Sequence, residues 1–130
     1  MVDVLVRDER VPGREEASLR LVGIPQRITL RDLIRTRVRE EVAEFNSGPR
    51  EHFRGLVRPT DADETPRGYR LRTPRPLRWE EQADAAEQAF GRNGFFVLVG
   101  DRQVDELDEE LDLSPETEIR FVKLVPLVGG

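Results

Sequence analysis

The apolar residues change their spacing at Thr29, and that change does most to limit what this chain can become. Before it, Val2, Val4 and Val6 alternate with Asp3, Leu5 and Arg7, the period of two of a half-buried strand. Ala17 to Gly23 sets Leu19 and Leu21 on one face, with Pro12-Gly13 between the two runs, so these elements read as a hairpin with a longish turn. After Thr29, residues Leu30, Ile34, Val38, Val42 and Phe45 recur at helical spacing beside Leu33, which predicts a helix over about 30–45. Thr29 stands as its N-cap with Asp32 three residues on, and Ile28 and Leu33 hold the positions of a hydrophobic staple. Asn46-Ser47-Gly48-Pro49 ends it.

From Ser47 to Arg78 the periodicity fails. Prolines stand at 49, 59, 66, 74 and 76, and Asp61, Asp63 and Glu64 form an acidic cluster. A connection of about thirty residues is long, so it reads as a functional flap or a mobile insertion, with mobility expected around Pro59 to Pro74. Within it, Leu56-Val57 and Tyr69-Arg70-Leu71 are expected to pair as a weak hairpin around Asp61 to Gly68. A second helix over about 79–90 places Trp79, Ala83, Ala86 and Phe90 on one stripe and stops at Gly91. Phe95 to Val99 reads as a buried strand, followed by a turn at Gly100-Asp101 and a short element near Gln103-Val104. Leu107, Leu111 and Leu113 punctuate an acidic segment, Ser114-Pro115-Glu116-Thr117 turns, and Ile119, Phe121 and Lys123 alternate with Arg120, Val122 and Leu124 in a last strand. The expected class is α+β: the first helix covers one face of a mixed sheet whose first and last strands pair in parallel.

With 130 residues and 15.0 kDa, the chain suits a single domain, 1–130, interrupted by an insertion at 47–93. A net charge of −5 and a pI near 5.1 argue against nucleic-acid binding. No cysteine is present, which excludes a disulfide, a thiol nucleophile or a thiolate metal site. No run approaches the ~20 apolar residues of a membrane span, and the start shows a strand pattern in place of a basic and apolar leader. A cytoplasmic protein without membrane partners is the expectation. Every basic side chain except Lys123 is arginine, so Lys123 and the N-terminal amine alone offer nucleophilic nitrogens.

Gly129-Gly130 closes a strand-like run from Ile119 to Val128. Without Cβ atoms, two glycines can thread a narrow channel. A tail over 126–130 is expected to be flexible, and fully extended it carries its carboxylate roughly 16 Å away from the body. The order of elements and this ending resemble the ubiquitin family. Met1 to Phe45 looks like its opening hairpin and helix. Gly94-Phe95-Phe96-Val97-Leu98-Val99-Gly100-Asp101-Arg102-Gln103-Val104, the leucine-bearing segment to Leu113, Ser114 to Glu118, Ile119-Arg120-Phe121-Val122 and Gly129-Gly130 resemble the rest. About two-thirds of the chain is covered, since Asn46 to Asn93 has no counterpart in a minimal ubiquitin fold.

The resemblance implies a β-grasp fold and a protein modifier without catalytic residues. Gly130 would be adenylated with ATP by an E1-like activating enzyme, passed to an E2-like carrier as a thioester, joined to target proteins and released by a deconjugating peptidase, with Gly129 keeping the approach slim. The segment Leu124-Val125-Pro126-Leu127-Val128 replaces the family's arginine-bearing tail, so a dedicated partner reading Leu127 and Val128 is expected. With the insertion and the arginine bias, the chain looks more like the bacterial ubiquitin-like modifiers that travel with their own enzymes, some in antiviral defence. The family's apolar sheet patch maps to Val97 and Val122, on the face away from the helix. Lys123 is the candidate self-acceptor, and its solitude predicts single attachments in place of chains.

Other chemistry has less support in the residues. His52 is the single histidine, flanked by Arg50 and Arg54 in the irregular segment, and reads as a solvated loop residue in place of a metal ligand or triad member. Asp105 to Asp112 lacks the spacing and central glycine of a calcium loop. Gly91, Gly94 and Gly100 flank a strand and form no phosphate fingerprint. Two other readings remain open: a sulfur carrier with a terminal thiocarboxylate, against which the insertion counts, and a noncovalent ubiquitin-like module needing no free tail.

Overall fold

The computed structural model describes residues 1–11 and 15–124, and the side chains of 1–10 and 17–124. In chain order the elements are β1 (Val2–Val11), β2 (Glu15–Ile24), β3 (Arg27–Thr29), α1 (Leu30–Ser47), β4 (Ala62–Thr65) and β5 (Gly68–Leu71). They continue as α2 (Trp79–Gly91), β6 (Phe95–Val99), β7 (Arg102–Val104), β8 (Glu110–Asp112) and β9 (Ile119–Leu124). The class is α+β, with two helices and a mixed five-stranded sheet among the described residues. The chain divides into two compact units, 1–32 with 90–130, and 33–89. The second unit thus starts inside α1, ahead of the expected insertion boundary at residue 47.

In the first unit the sheet order is β2-β1-β9-β6-β7. β1 pairs antiparallel with β2 and parallel with β9, as the sequence led us to expect, while β6 is antiparallel to both β9 and β7. The period of two in β1 holds: Val2, Val4 and Val6 are buried and Asp3, Leu5 and Arg7 exposed. It carries on to Asp8, a carboxylate at a buried position. Val2 pairs with Ile24 but Val4 with Leu21, so β2 holds one extra residue there. Gly23 absorbs it at φ +67, and its N–H donates to Asp3 Oδ1 at 2.8 Å. Phe90, Phe95 and Phe121 stack in tilted pairs with centroids 5.8 Å apart. β3 and β8 form a separate antiparallel pair.

The start of α1 follows its sequence signal, with the Asp32 N–H donating to Thr29 Oγ1 at 3.1 Å. The amides of Leu30 and Arg31, orphaned at a helix start, donate to the carbonyls of Glu109 and Leu107 at 3.0 and 2.8 Å. The acidic segment before β8 thus serves the helix with its backbone.

The second unit corrects the expected irregular insertion. Most of α1 belongs to it, and the helix buries Arg37 and Glu41 along with Leu33, Ile34, Val38, Val42 and Phe45. Arg37 Nε donates to Glu41 Oε1 at 2.5 Å, and Glu41 Oε2 accepts the Leu56 N–H at 2.8 Å. A hairpin does form, but Ala62–Thr65 supplies the partner strand of β5, and Leu56-Val57 lies in no strand. Phe53 makes the remaining link, exchanging two backbone hydrogen bonds with Tyr69 at 2.8 and 2.9 Å and meeting the Phe45 ring edge-on at 5.6 Å. This local order follows from apolar side chains that have no period: Phe53, Leu56, Ala62, Leu71 and Leu77 are all buried. The Asn46 amide clasps the Leu77 backbone through both its donor and its acceptor, at 2.9 Å each.

In α2 the expected stripe holds at Ala83 and Ala86, both fully buried, with Trp79 and Phe90 half-buried and Gln82 unexpectedly inside. The left-handed residue after α2 is Asn93, at φ 59, and not Gly91. Asparagine tolerates that conformation because its short polar side chain can bond locally.

Candidate functional site

The tail can only start from where β9 ends, and β9 is held on both sides. Ile119 to Leu124 pairs with Val6 to Val11 in parallel and, through Ile119 to Lys123, with Phe95 to Val99 in antiparallel register. Leu124 is half-exposed at 52%. Gly129 lies five positions beyond it; Leu127, Val128, Gly129 and Gly130 fall outside the described residues.

Val97 and Val122 do not share a surface. Val97 pairs with Phe121 and Val104, both fully or nearly fully buried, and is itself 0% exposed. Val122 pairs with Phe96 and Glu9 and therefore points to the opposite side of the sheet. The expected placement of Val97 on the outer face is therefore overturned. Because consecutive strand residues alternate, the residues of β6 that share the Val122 side are Phe96 and Leu98, both half-exposed. Together with Leu124 they form an apolar row across β6 and β9. Val122 contributes little area, being 8% exposed.

Charge borders that row. Arg120 and Arg7 are direct partners across the parallel β1–β9 pair. Arg120 Nη1 stands 3.7 Å from Glu9 Oε2 and its Nε 3.8 Å from Glu118 Oε1, and the buried Nε makes no hydrogen bond. These long pairs leave Arg120 loosely held beside Leu98. Such a surface, an apolar strip with an adjustable guanidinium, suits docking of a protein partner.

Lys123 is half-buried and takes the register of Phe95 and Arg10, and it is already engaged by a neighbour. Near the start of β1, an open groove of about 510 Å³ is lined by Met1, Leu5, Arg20, Gln26, Leu113 and Pro115, with Asp3 also on its wall. Asp3 is committed to the Gly23 amide there.

Part of the acidic segment is paired locally. Arg31 Nε bonds Asp108 Oδ1 at 3.2 Å, and Glu109 pairs with Arg102, whose guanidinium is held charged still more firmly by that hydrogen bond. His52 is half-buried. Among the described residues no group of three or more His, Cys, Asp or Glu side chains could hold a metal ion. No helix among them is long and apolar enough to cross a membrane.

The sequence missed Phe96 and Leu98 because a continuous apolar run, Phe95 to Val99, carries no alternation from which to read its two faces. The signal that could have found them lay in the last strand, where Arg120 breaks the run and sets its parity. No family model matches this chain, and comparison with curated proteins and with solved structures gives no match.

Proposed function

We propose that this chain is a ubiquitin-like protein modifier of β-grasp fold, activated at the carboxylate of Gly130 and carrying no catalytic group of its own. One observation supports the reading above the others. The sheet runs β2-β1-β9-β6-β7, with an opening antiparallel hairpin, a helix following it, and a last strand set parallel to the first in the middle of the sheet. That arrangement resembles the ubiquitin-like sheet, and the diglycine stands where that family carries its reactive end.

In this reading an E1-like enzyme binds the apolar strip of Phe96, Leu98 and Leu124 and the segment Leu127-Val128. A carboxylate oxygen of Gly130 attacks the α-phosphorus of ATP and expels pyrophosphate. A partner's thiolate then displaces AMP to give a thioester, and the carrier passes the acyl group to a target amine with release of the thiol. Glycines at 129 and 130 keep side chains out of the channel through which the carboxylate must pass. A dedicated peptidase reverses the bond, and bacterial antiviral defence is the setting in which such a set would act.

Intact mass of the chain recovered from its native cells, beside a form lacking Gly129 and Gly130, tests this. Attachment through the Gly130 carbonyl, absent from the shortened form, is the expected result. Replacement of one oxygen by sulfur would identify a sulfur carrier, and an unmodified mass in both forms with activity retained would identify a noncovalent module. Either of the last two overturns the proposal.

A further inference from the structure

Charge is divided unevenly along this chain. Residues 48–78 hold eight arginines and four carboxylates, a net of +4, within a protein of net −5, so the remainder carries −9. The β4–β5 hairpin lies inside that basic stretch. Its register puts Ala62 opposite Leu71, both buried, and Asp63 opposite Arg70, both exposed. One face of the hairpin is therefore anchored and the other is turned to solvent.

On the solvent face Asp63 is paired with one arginine and lies in the field of two more. Arg72 Nη2 bonds Asp63 Oδ1 at 2.9 Å. The Arg72 guanidinium, with Arg70 and then Arg58 adding their charge, holds the Asp63 carboxyl below its ordinary range. The side chains of Arg58 and Arg70 make no hydrogen bond or ion pair among the described residues, and both residues are exposed. The open end of the hairpin is held: the Arg72 N–H donates to the Asp61 carbonyl at 2.9 Å, and Arg75 Nη2 to the Thr60 carbonyl at 2.8 Å. This leaves two uncommitted guanidinium groups on a braced platform, with a third satisfied by a single carboxylate.

We propose that the solvent face of the β4–β5 hairpin, through Arg58, Arg70 and Arg72, binds a carboxylate-rich segment of a partner protein. Guanidinium forks match carboxylates in bidentate geometry, which favours arginine over lysine for this task. Scale favours a peptide over a nucleic acid. A strand of four residues spans about 13 Å, enough for a few acidic side chains of an extended segment. A polynucleotide carries a phosphate roughly every 3.4 Å per strand over a far greater length than a four-residue strand offers. The inference is independent of the conjugation chemistry, since it uses neither Gly129 nor Gly130.

The test is fluorescence anisotropy of a short labelled peptide of alternating Glu and Ser with the full chain at low and physiological salt. A Lys-for-Glu peptide and a single-stranded oligonucleotide serve as competing probes. Arg58→Glu with Arg70→Glu should weaken the acidic peptide by about tenfold or more, with an unchanged circular dichroism spectrum because neither side chain is bonded. Asp63→Asn should strengthen it severalfold by releasing Arg72 to the peptide. No binding of the acidic peptide, binding indifferent to these substitutions, or tighter binding of the oligonucleotide than of the peptide would each overturn the proposal, the last by assigning the face to nucleic acid.

Discussion

Arg37 and Glu41 are the residues whose surroundings differ most from what their type suggests. A charged pair four apart on a helix is ordinarily a solvated decoration worth a few tenths of a kcal/mol. Here Arg37 is 0% exposed and Glu41 8%, and Glu41 also anchors the Leu56 amide. Glu41→Ala takes a hydrogen-bonded partner from the buried Arg37 guanidinium and the acceptor from the Leu56 amide, and should cost about 3 kcal/mol in denaturant unfolding. A loss below about 1 kcal/mol would show that Arg37 finds water. Gly55 belongs to the same locality. A Cβ there would stand 2.1 Å from the Phe53 ring and 2.7 Å from Glu41 Oε2, so the close approach of backbone to ring explains the glycine.

Asp63 gives a prediction on pH. Its folded pKa is depressed, chiefly by the hydrogen bond from Arg72, so the pairing is complete above the ordinary value of 3.8 and is lost as pH falls through the lower folded value. Carboxyl carbon shifts followed by NMR should place the Asp63 midpoint below 3.8 and return it upward in Arg72→Ala. A midpoint that does not move would break the assignment.

Among the elements, α1 carries a cap that the sequence announced. Thr29→Ala removes the bond to the Asp32 amide and should cost about 1 kcal/mol in thermal or chemical unfolding, while Thr29→Ser should be nearly silent. The hairpin β4–β5 is the opposite case. Proline density suggested a mobile flap between Pro59 and Pro74, but the amides of Phe53, Tyr69 and Arg72 donate to backbone carbonyls. Hydrogen exchange should find these three protected and the Arg67 turn fast; uniform fast exchange would support the mobile reading. The sequence hid this because prolines interrupt periodicity without preventing burial, and the paired segments are only four residues long.

At the scale of the molecule, sheet parity separates stability from docking. Val97→Asp puts an unpaired carboxylate where exposure is 0% and should abolish cooperative folding or cost several kcal/mol. Leu98→Asp, one residue on and facing outward, should leave the melting temperature nearly unchanged while weakening binding of the activating enzyme we propose. Equal damage from both substitutions would remove the outer strip as a docking surface.

The strand-to-helix switch, the cap at Thr29, the acid-rich turn before the last strand and the parallel first and last strands were legible from the residues alone. The first three rest on local rules of spacing or capping that hold over a few neighbouring positions, and the parallel pairing on the order of elements along the whole chain. The division into faces across Phe95 to Val99, the burial of Arg37 and Glu41, and the pairing of Ala62–Thr65 with Gly68–Leu71 were decided by tertiary structure. An apolar run has no parity until a partner strand assigns one, and a charge shows whether it is buried only when distant chain arrives around it.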